Sequence, residues 1–283
     1  MVTAVGLALL LIAQLGALDN AGIEHTEKGL SRALVTYGIS RGLNGIISVV
    51  QGTEVAIEPV GVGMTFTPGQ ILDPVNDLIE RFSTVVLVSG TAFGIQRVLL
   101  DIVATNTFSL IVAILVIIAV GILWFARTLP LSIKIPIYRA AIIFLIIRLS
   151  VPAMAITTES FYEHFLAPQY QESSQQLLFA TDQLNDIRSK SEGVSESANE
   201  DKSLLESAKD LYRSATSAFD MDQHIEEFKA AAESISEHAI RLIVVFVFQT
   251  IILPLGSLWL ILKTIKWVAV RRTPFVLGSR YEH

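Results

Sequence analysis

Arg148 is the residue whose position in this sequence most strongly suggests chemistry. It lies inside an apolar stretch, residues 137–156, that is long enough to cross a bilayer. An ionisable side chain within a membrane span needs a partner and often marks an ion or substrate pathway. We predict that Arg148 and Gln249, which lies within the apolar stretch 240–262, form an intramembrane polar pair or line a pore. In the alternative interpretation, Arg148 extends to the membrane interface or bonds a carbonyl at a helix end.

Other residues are spaced four apart, which places both members of each pair on one face of a helix. Arg97 and Asp101 have this spacing, and they are predicted to form an ion pair. The same spacing between small residues lets two apolar helices approach closely. The glycines with this spacing are Gly38 and Gly42, and Gly90 and Gly94. We interpret them either as ordinary packing positions or as part of an oligomer interface.

The remaining clusters of acidic residues and histidine have no spacing that predicts a metal or catalytic site. The cluster DMDQH at 220–224 lacks the glycine and the distant glutamate of a calcium-binding loop, and we interpret it as a solvated helix terminus. His164, with Glu159 and Glu163 nearby, receives the same interpretation. The chain has no cysteine and no HExxH, GxxxxGK[ST] or GxSxG motif. We therefore expect no metal, no cofactor and no enzymatic activity.

The composition is that of a membrane protein. Apolar residues make up 52% of the 283-residue chain, the mean hydropathy is +0.55, and the apolar residues occur in blocks. Residues 157–238 carry 17 acidic and 6 basic residues, whereas the rest of the chain carries 10 acidic and 15 basic ones. The acidic segment 157–238 is therefore expected on the side of the membrane opposite the basic C-terminal tail. The chain has no basic patch suited to a phosphate backbone, so nucleic acid is excluded as a partner.

The patterns predict an all-α protein with about four membrane spans, a small β-hairpin and an extramembrane helical hairpin. Residues 107–126 contain no charge, and 20 such residues in a helix cover about 30 Å, the thickness of the hydrocarbon core. The expected parts of the chain are an N-terminal anchor or signal-like helix (1–18), an extracytoplasmic module of helix, β-hairpin and helix (19–104), two transmembrane helices with a short basic cytoplasmic loop (105–156), an acidic extracytoplasmic helical hairpin (157–238), the last transmembrane helix (239–265) and a basic cytoplasmic tail (266–283).

The β-hairpin is expected within residues 53–67, where apolar residues alternate with others around Pro59 and Gly61. The longer stretch 51–83 (QGTEVAIEPVGVGMTFTPGQILDPVNDLIERFS) resembles parts of uncharacterised bacterial membrane proteins. That resemblance implies no particular activity. The expected location is a bacterial-type inner membrane.

The charges of the loops predict the topology, because short loops rich in Lys and Arg stay in the cytoplasm. The loop 127–139 and the tail 263–272 are both basic, so the C-terminus is expected in the cytoplasm and residues 157–238 outside it. Two other interpretations of residues 85–103 remain beside an extracytoplasmic helix. In one, the segment is a further membrane span, although its charged residues argue against this. In the other, it is part of one long helix over 75–126.

Two hypotheses from different classes remain. The first is a homo-oligomeric, channel-like assembly in the lipid bilayer, which the glycine-bearing helices and the intramembrane arginine favour. The alternative is a non-enzymatic sensor or scaffold whose 157–238 hairpin binds an extracytoplasmic protein partner. The cytoplasmic segments are too short to form a signalling domain of their own, so a sensor would depend on such a partner.

Overall fold

The structure is a computed structural model of the chain, and it describes residues 8, 11, 12, 14, 16–51, 55–57, 64–66, 71–125, 129–195 and 204–270. These residues are almost entirely helical. The helices are α1 (Ala17–Gln51), α2 (Asp73–Ala104), α3 (Asn106–Phe125), α4 (Leu131–Phe161), α5 (Ala167–Ser195), α6 (Leu204–Val247) and α7 (Leu253–Val270). A π-helical turn at Tyr162–Leu166 joins α4 to α5, and a second one at Phe248–Ile252 joins α6 to α7.

Local sequence signals set where the helices begin. Gly16 has a φ of 65°, a left-handed conformation that glycine adopts without a steric penalty, and α1 begins at the next residue. α2 begins at Asp73, which is followed by Pro74, a residue that has no N–H to satisfy in the first turn. Pro130 has extended backbone angles and immediately precedes α4.

Residues 75–126 do not form one long helix, so that alternative is wrong. α2 ends at Ala104 and α3 begins at Asn106. The backbone N–H of Thr105 donates to the carbonyl of Ile102 at 3.3 Å, and the carbonyl of Thr105 accepts from Ser109 at 3.0 Å. A single residue therefore separates the two helices.

Two three-residue strands lie between α1 and α2. β1 (Val55–Ile57) pairs antiparallel with β2 (Met64–Phe66). In this register Val55 is opposite Phe66, and Ile57 is opposite Met64. The pair falls within the segment in which a hairpin was expected, and the residues that join the strands are outside the described part of the chain. It is the one β-sheet among the residues that the structure describes.

Four helical runs are long and apolar enough to cross a membrane, judged by length and composition. Two of them, Ser132–Asp186 and Glu226–Ala269, contain the expected spans 137–156 and 240–262. The other two are α1 and α2. The α2 helix contains residues 85–103, which were interpreted either as an extracytoplasmic helix or as a further span. No span was expected over α1. The expected span 107–126 corresponds to α3, a shorter apolar helix.

The described chain divides into two compact units. The first comprises Met1–Arg32, Ser89–Phe165 and Val247–His283, and the second comprises Ala33–Val88 and Leu166–Phe246. In the first unit, α3 and α4 bury an apolar cluster formed by Val112, Val116, Ala119, Ala141 and Leu145. In the second unit, every helix contributes fully buried apolar side chains, which include Leu43, Ile47, Ile79, Phe82, Leu177, Leu184, Ile235 and Leu242.

Candidate functional site

Arg148 is buried in the first unit and forms an ion pair with Asp19 of α1. Its two terminal nitrogens donate to the two carboxylate oxygens of Asp19 at 2.6 and 2.5 Å. The Arg148 and Asp19 side chains are 3% and 8% exposed. The helices come close enough for this pair because Gly22, one turn further along α1, packs against Pro152: a Cβ at Gly22 would lie 3.2 Å from the Pro152 Cα. The ion pair therefore joins α1 to α4.

A second ion pair joins the same two helices with the charges exchanged. Arg32 of α1 donates to the two carboxylate oxygens of Glu159 at 2.8 and 2.5 Å. The guanidinium group of Arg32 also lies over the ring of Tyr162, 3.7 Å from its centroid, which is a cation–π arrangement. Glu159 is 2% exposed. A buried carboxylate needs such a partner, because the desolvation of an unpaired charge is costly.

Gln249 joins the second ion pair rather than the first. Its Nε2 lies 3.5 Å from Oε2 of Glu159, and the residue is only 1% exposed. The amide oxygen of Gln249 is buried and has no hydrogen-bond partner. The carboxylate of Asp19, and not the amide of Gln249, is thus the group that meets both terminal nitrogens of Arg148.

The pore-lining role of Arg148 and Gln249 stays a prediction. Within the protomer the two side chains are 2% and 1% exposed. Each meets a carboxylate inside the first unit, Arg148 that of Asp19 and Gln249 that of Glu159. These acidic residues are 129 and 90 positions away in sequence.

Both π-helical turns lie beside this second ion pair. Tyr162, which contacts Arg32, begins one of them, and Gln249 lies in the other. The rings of Phe161 and Phe248, at the two turns, are stacked with their centroids 6.4 Å apart and their planes at 2°. Thr250 shares a hydrogen bond of 3.1 Å with Ser89 of α2. Because π-helical turns are rare and are frequent at functional sites, two of them beside one buried polar group mark this region.

His25 and Glu163 complete the polar cluster, by which we mean His25, Arg32, Glu159, Glu163 and Gln249. One ligand atom from each of His25, Glu159 and Glu163 lies within 4.8 Å of the other two. Nδ1 of His25 is buried and has no hydrogen-bond partner. Glu163 is exposed, so the cluster extends from the buried Glu159 to the surface of the unit. Among the described residues of the first unit, these three are placed to hold a cation.

No spacing in the sequence predicts this group of three. His164 had been considered with Glu159 and Glu163, but its Nδ1 lies 2.7 Å from the carbonyl oxygen of Ser160 and the residue is exposed. The histidine that lies beside Glu159 and Glu163 is His25 of α1. The side chains of the cluster at 220–224 lie outside the described residues.

Arg97 and Asp101 form an ion pair on α2, as their spacing predicts. Arg97 also bonds Glu27 of α1, with 3.2 Å between Nε and Oε1. This second bond links two helices, which the sequence did not predict. Both acidic partners are exposed, so the group lies at the surface of the first unit.

Three of the four predicted packing glycines, Gly38, Gly42 and Gly94, do not pack against a neighbouring helix of the same chain. A Cβ built at Gly38, Gly42 or Gly94 would have nothing within 4 Å. The first two are exposed on α1. The glycines that do meet another helix are Gly22 and Gly29. A Cβ at Gly29 would lie less than 3.0 Å from the ring of Phe93.

The second unit contains a pairing of serine and histidine that the sequence did not predict. Nδ1 of His238 lies 3.4 Å from Oγ of Ser173. The two residues are 9% and 0% exposed, so a substrate has no access to the hydroxyl. The pair therefore gives no support to a hydrolase.

Comparison of the chain with known protein families, with curated proteins and with solved structures gives no match. The chemistry of the polar cluster is therefore argued from its own geometry. Its members can hold a cation, exchange a proton or hold α1 against α4, but they present no nucleophile next to a base.

Proposed function

We propose that the chain forms a homo-oligomeric, channel-like assembly in a bacterial-type inner membrane, in which α1 of one protomer meets a neighbouring copy. The observation that carries the proposal is an exposed stripe along α1, here called the glycine stripe. Its members share one face of the helix: Leu34, Val35, Gly38, Gly42, Gly45 and Val49. The three glycines have open space where a Cβ would be, and Leu34 is 59% exposed.

A second helix would pack against the glycine stripe both in lipid and in water. In lipid, small residues at this spacing favour association because the backbones approach closely. In water, a continuous apolar surface marks an interaction site, since soluble surfaces rarely leave one uncovered. Contact between the glycine stripes of two copies is two-fold and forms a dimer, so a ring that encloses a central space needs a second contact. The large apolar residues exposed on α2, such as Ile95 at 58% and Val98 at 58%, are available for that second contact.

The proposed topology rests on the charges of the chain. Residues 157–238 face the extracytoplasmic side, and the basic loop 127–139 and the C-terminal tail face the cytoplasm, because Lys and Arg clusters are retained there. The bilayer then surrounds α3, α4 and α7. α1 and α2 either contribute to the assembly outside the bilayer or enter it as further spans.

The proposal is tested by single-channel recording of the purified, cysteine-free protein in planar bilayers. We expect discrete conductance steps from the wild type. Gly38→Leu, which fills the open face of the glycine stripe, should reduce both the oligomer mass and the channel activity. Gln175→Leu, at an exposed position on α5, is the matched control and should change neither. A silent bilayer over a wide range of voltage and tension, with intact oligomers present, would contradict the channel.

A sensor or scaffold is the second candidate function, and the arrangement of the polar cluster favours it. Glu159, Gln249 and the two π-helical turns lie in the two helical runs, Ser132–Asp186 and Glu226–Ala269, that each combine a candidate span with part of the acidic segment 157–238. A change at that segment would be transmitted along such helices. Crosslinking of the full-length chain in its native membrane distinguishes the two: a stoichiometric extracytoplasmic partner favours the sensor, and a product containing this chain alone favours the channel.

A further inference from the structure

We propose that His25, Glu159 and Glu163 bind a divalent transition-metal ion of the zinc class. Their three ligand atoms, one imidazole nitrogen and two carboxylate oxygens, lie within 4.8 Å of one another. A nitrogen and oxygen donor set is one that zinc accepts. The site is separate from the glycine stripe, and it does not depend on the proposed channel.

Local structure brings these three side chains together. Glu159 is near the end of α4, and Glu163 lies four residues later in the π-helical turn, where the wider turn changes the direction in which side chains point. His25 comes from α1, between Gly22 and Gly29, the two glycines at which α1 lies against Pro152 and Phe93. The close packing on both sides of His25 fixes the distance between its ring and the two carboxylates.

Unsatisfied buried atoms at the cluster provide an independent reason for a ligand. Nδ1 of His25 and Oε1 of Gln249 are both buried without a hydrogen-bond partner, and Gln249 is 1% exposed with its amide at 3.5 Å from Glu159. Unpartnered buried polar atoms are uncommon in folded proteins and call for an explanation such as a bound ion. A metal ion bound to the imidazole ring of His25, with a water molecule on the metal that donates to the amide oxygen of Gln249, would be such an explanation.

The charges around the site are suited to a cation. Glu159 and Glu163 supply two negative charges and Arg32 supplies one positive charge, so the cluster is net negative when His25 is neutral. The neighbouring Lys28 is paired with Glu24 at 2.9 Å, and these two charges cancel. Arg32 occupies one side of the Glu159 carboxylate, as an outer-shell partner does when it orients a metal ligand.

Metal binding would require a small movement of one ligand. Zinc holds its nitrogen and oxygen ligands at about 2.0–2.2 Å, which places the ligand atoms closer together than 4.8 Å. Glu163 is exposed, so its side chain is free to move toward the ion. The Arg32 pair holds the carboxylate of Glu159.

The test is a zinc titration of the purified full-length protein without a histidine tag, after removal of bound metal with a chelator. We expect one equivalent of Zn²⁺ to remain bound after dialysis, as measured by elemental analysis. His25→Ala and Glu163→Gln should each weaken binding at least tenfold. His164→Ala, which removes the exposed histidine next to Glu163, is the matched control and should bind like the wild type.

Three results would overturn the proposal: no zinc bound by the wild type, full binding retained by His25→Ala, or equal loss of binding in His164→Ala. Glu163→Gln keeps the argument testable if His25→Ala fails to fold, because Glu163 is exposed and its amide analogue has the same shape. Size-exclusion profiles of all variants establish that each is folded. Failure of the channel recordings would leave this result unchanged.

Discussion

Arg148 donates from both terminal nitrogens to the carboxylate of Asp19, at 2.6 and 2.5 Å, across 129 residues of sequence. Removal of one partner leaves a buried charge without compensation, which costs about 3–5 kcal/mol. We therefore expect Arg148→Met alone to lower the unfolding temperature strongly in detergent. The double variant Asp19→Leu/Arg148→Met should be more stable than either single variant, because a buried ion pair exchanged for apolar residues is often neutral. A loss in the double variant equal to the sum of the two single losses would show that the pair is not coupled.

Arg32 stabilises Glu159 through geometry as well as charge. Arg32→Lys retains the positive charge but loses the two-pronged bond and the stacking on Tyr162, so we expect a loss of about 1–3 kcal/mol. Arg41→Lys is the matched control, because Arg41 is an exposed arginine of the same helix. Its unfolding temperature should equal that of the wild type. The measurement is thermal unfolding followed by circular dichroism, and equal behaviour of the two variants would contradict the assigned role of Arg32.

Gly29 allows α1 to lie against α2. A Cβ there would be less than 3.0 Å from the ring of Phe93, so Gly29→Ala should destabilise the protein by about 1–3 kcal/mol. Gly121→Ala is the control, because a Cβ at Gly121 meets nothing within 4 Å. That helical substitution should stabilise by about 0.4–1 kcal/mol. If Gly29→Ala unfolds at the same temperature as Gly121→Ala, the close packing at Phe93 is absent in solution.

The helical architecture follows from local properties of the sequence. The uncharged run over 107–125 and the apolar runs over 137–156 and 240–262 lie in helices, because a helix satisfies the backbone within the segment while the mostly apolar side chains point outward. Arg97 and Asp101 meet because a helix brings residues four apart together. The single-residue break at Thr105 was missed, since Ala104 and Asn106 do not interrupt a helix by composition.

The polar cluster was not predicted, because its members come from helices that are distant in sequence. Arg148 was predicted to need a partner, and the predicted partner was Gln249, because no motif marks Asp19, which is 129 residues away in sequence. His164 was considered because it is next to Glu163, whereas His25, which the fold brings there, has no motif around it. Pairing between helices is decided by packing, and Gly22 and Gly29 set that packing here.

The opposite placement of the acidic segment and the C-terminus is a further prediction. Single cysteines at Ser195 and at Ser279 suit this test, because the chain has no native cysteine. In intact spheroplasts, a membrane-impermeant maleimide should label the cysteine at 195 and leave the one at 279 unlabelled until the membrane is opened. The reason is the retention of Lys and Arg clusters in the cytoplasm. Labelling of both positions from one side would contradict the topology.

Oxidative crosslinking through the glycine stripe tests the proposed assembly most directly. Gly38→Cys and Gly42→Cys are placed singly in the cysteine-free chain and oxidised in native membranes, with Gln175→Cys on the exposed surface of α5 as the control. We predict covalent dimers from both stripe positions and monomers from the control, because α1 of one protomer meets α1 of the next. Equal crosslinking at all three positions, or none at the two stripe positions, would contradict the account.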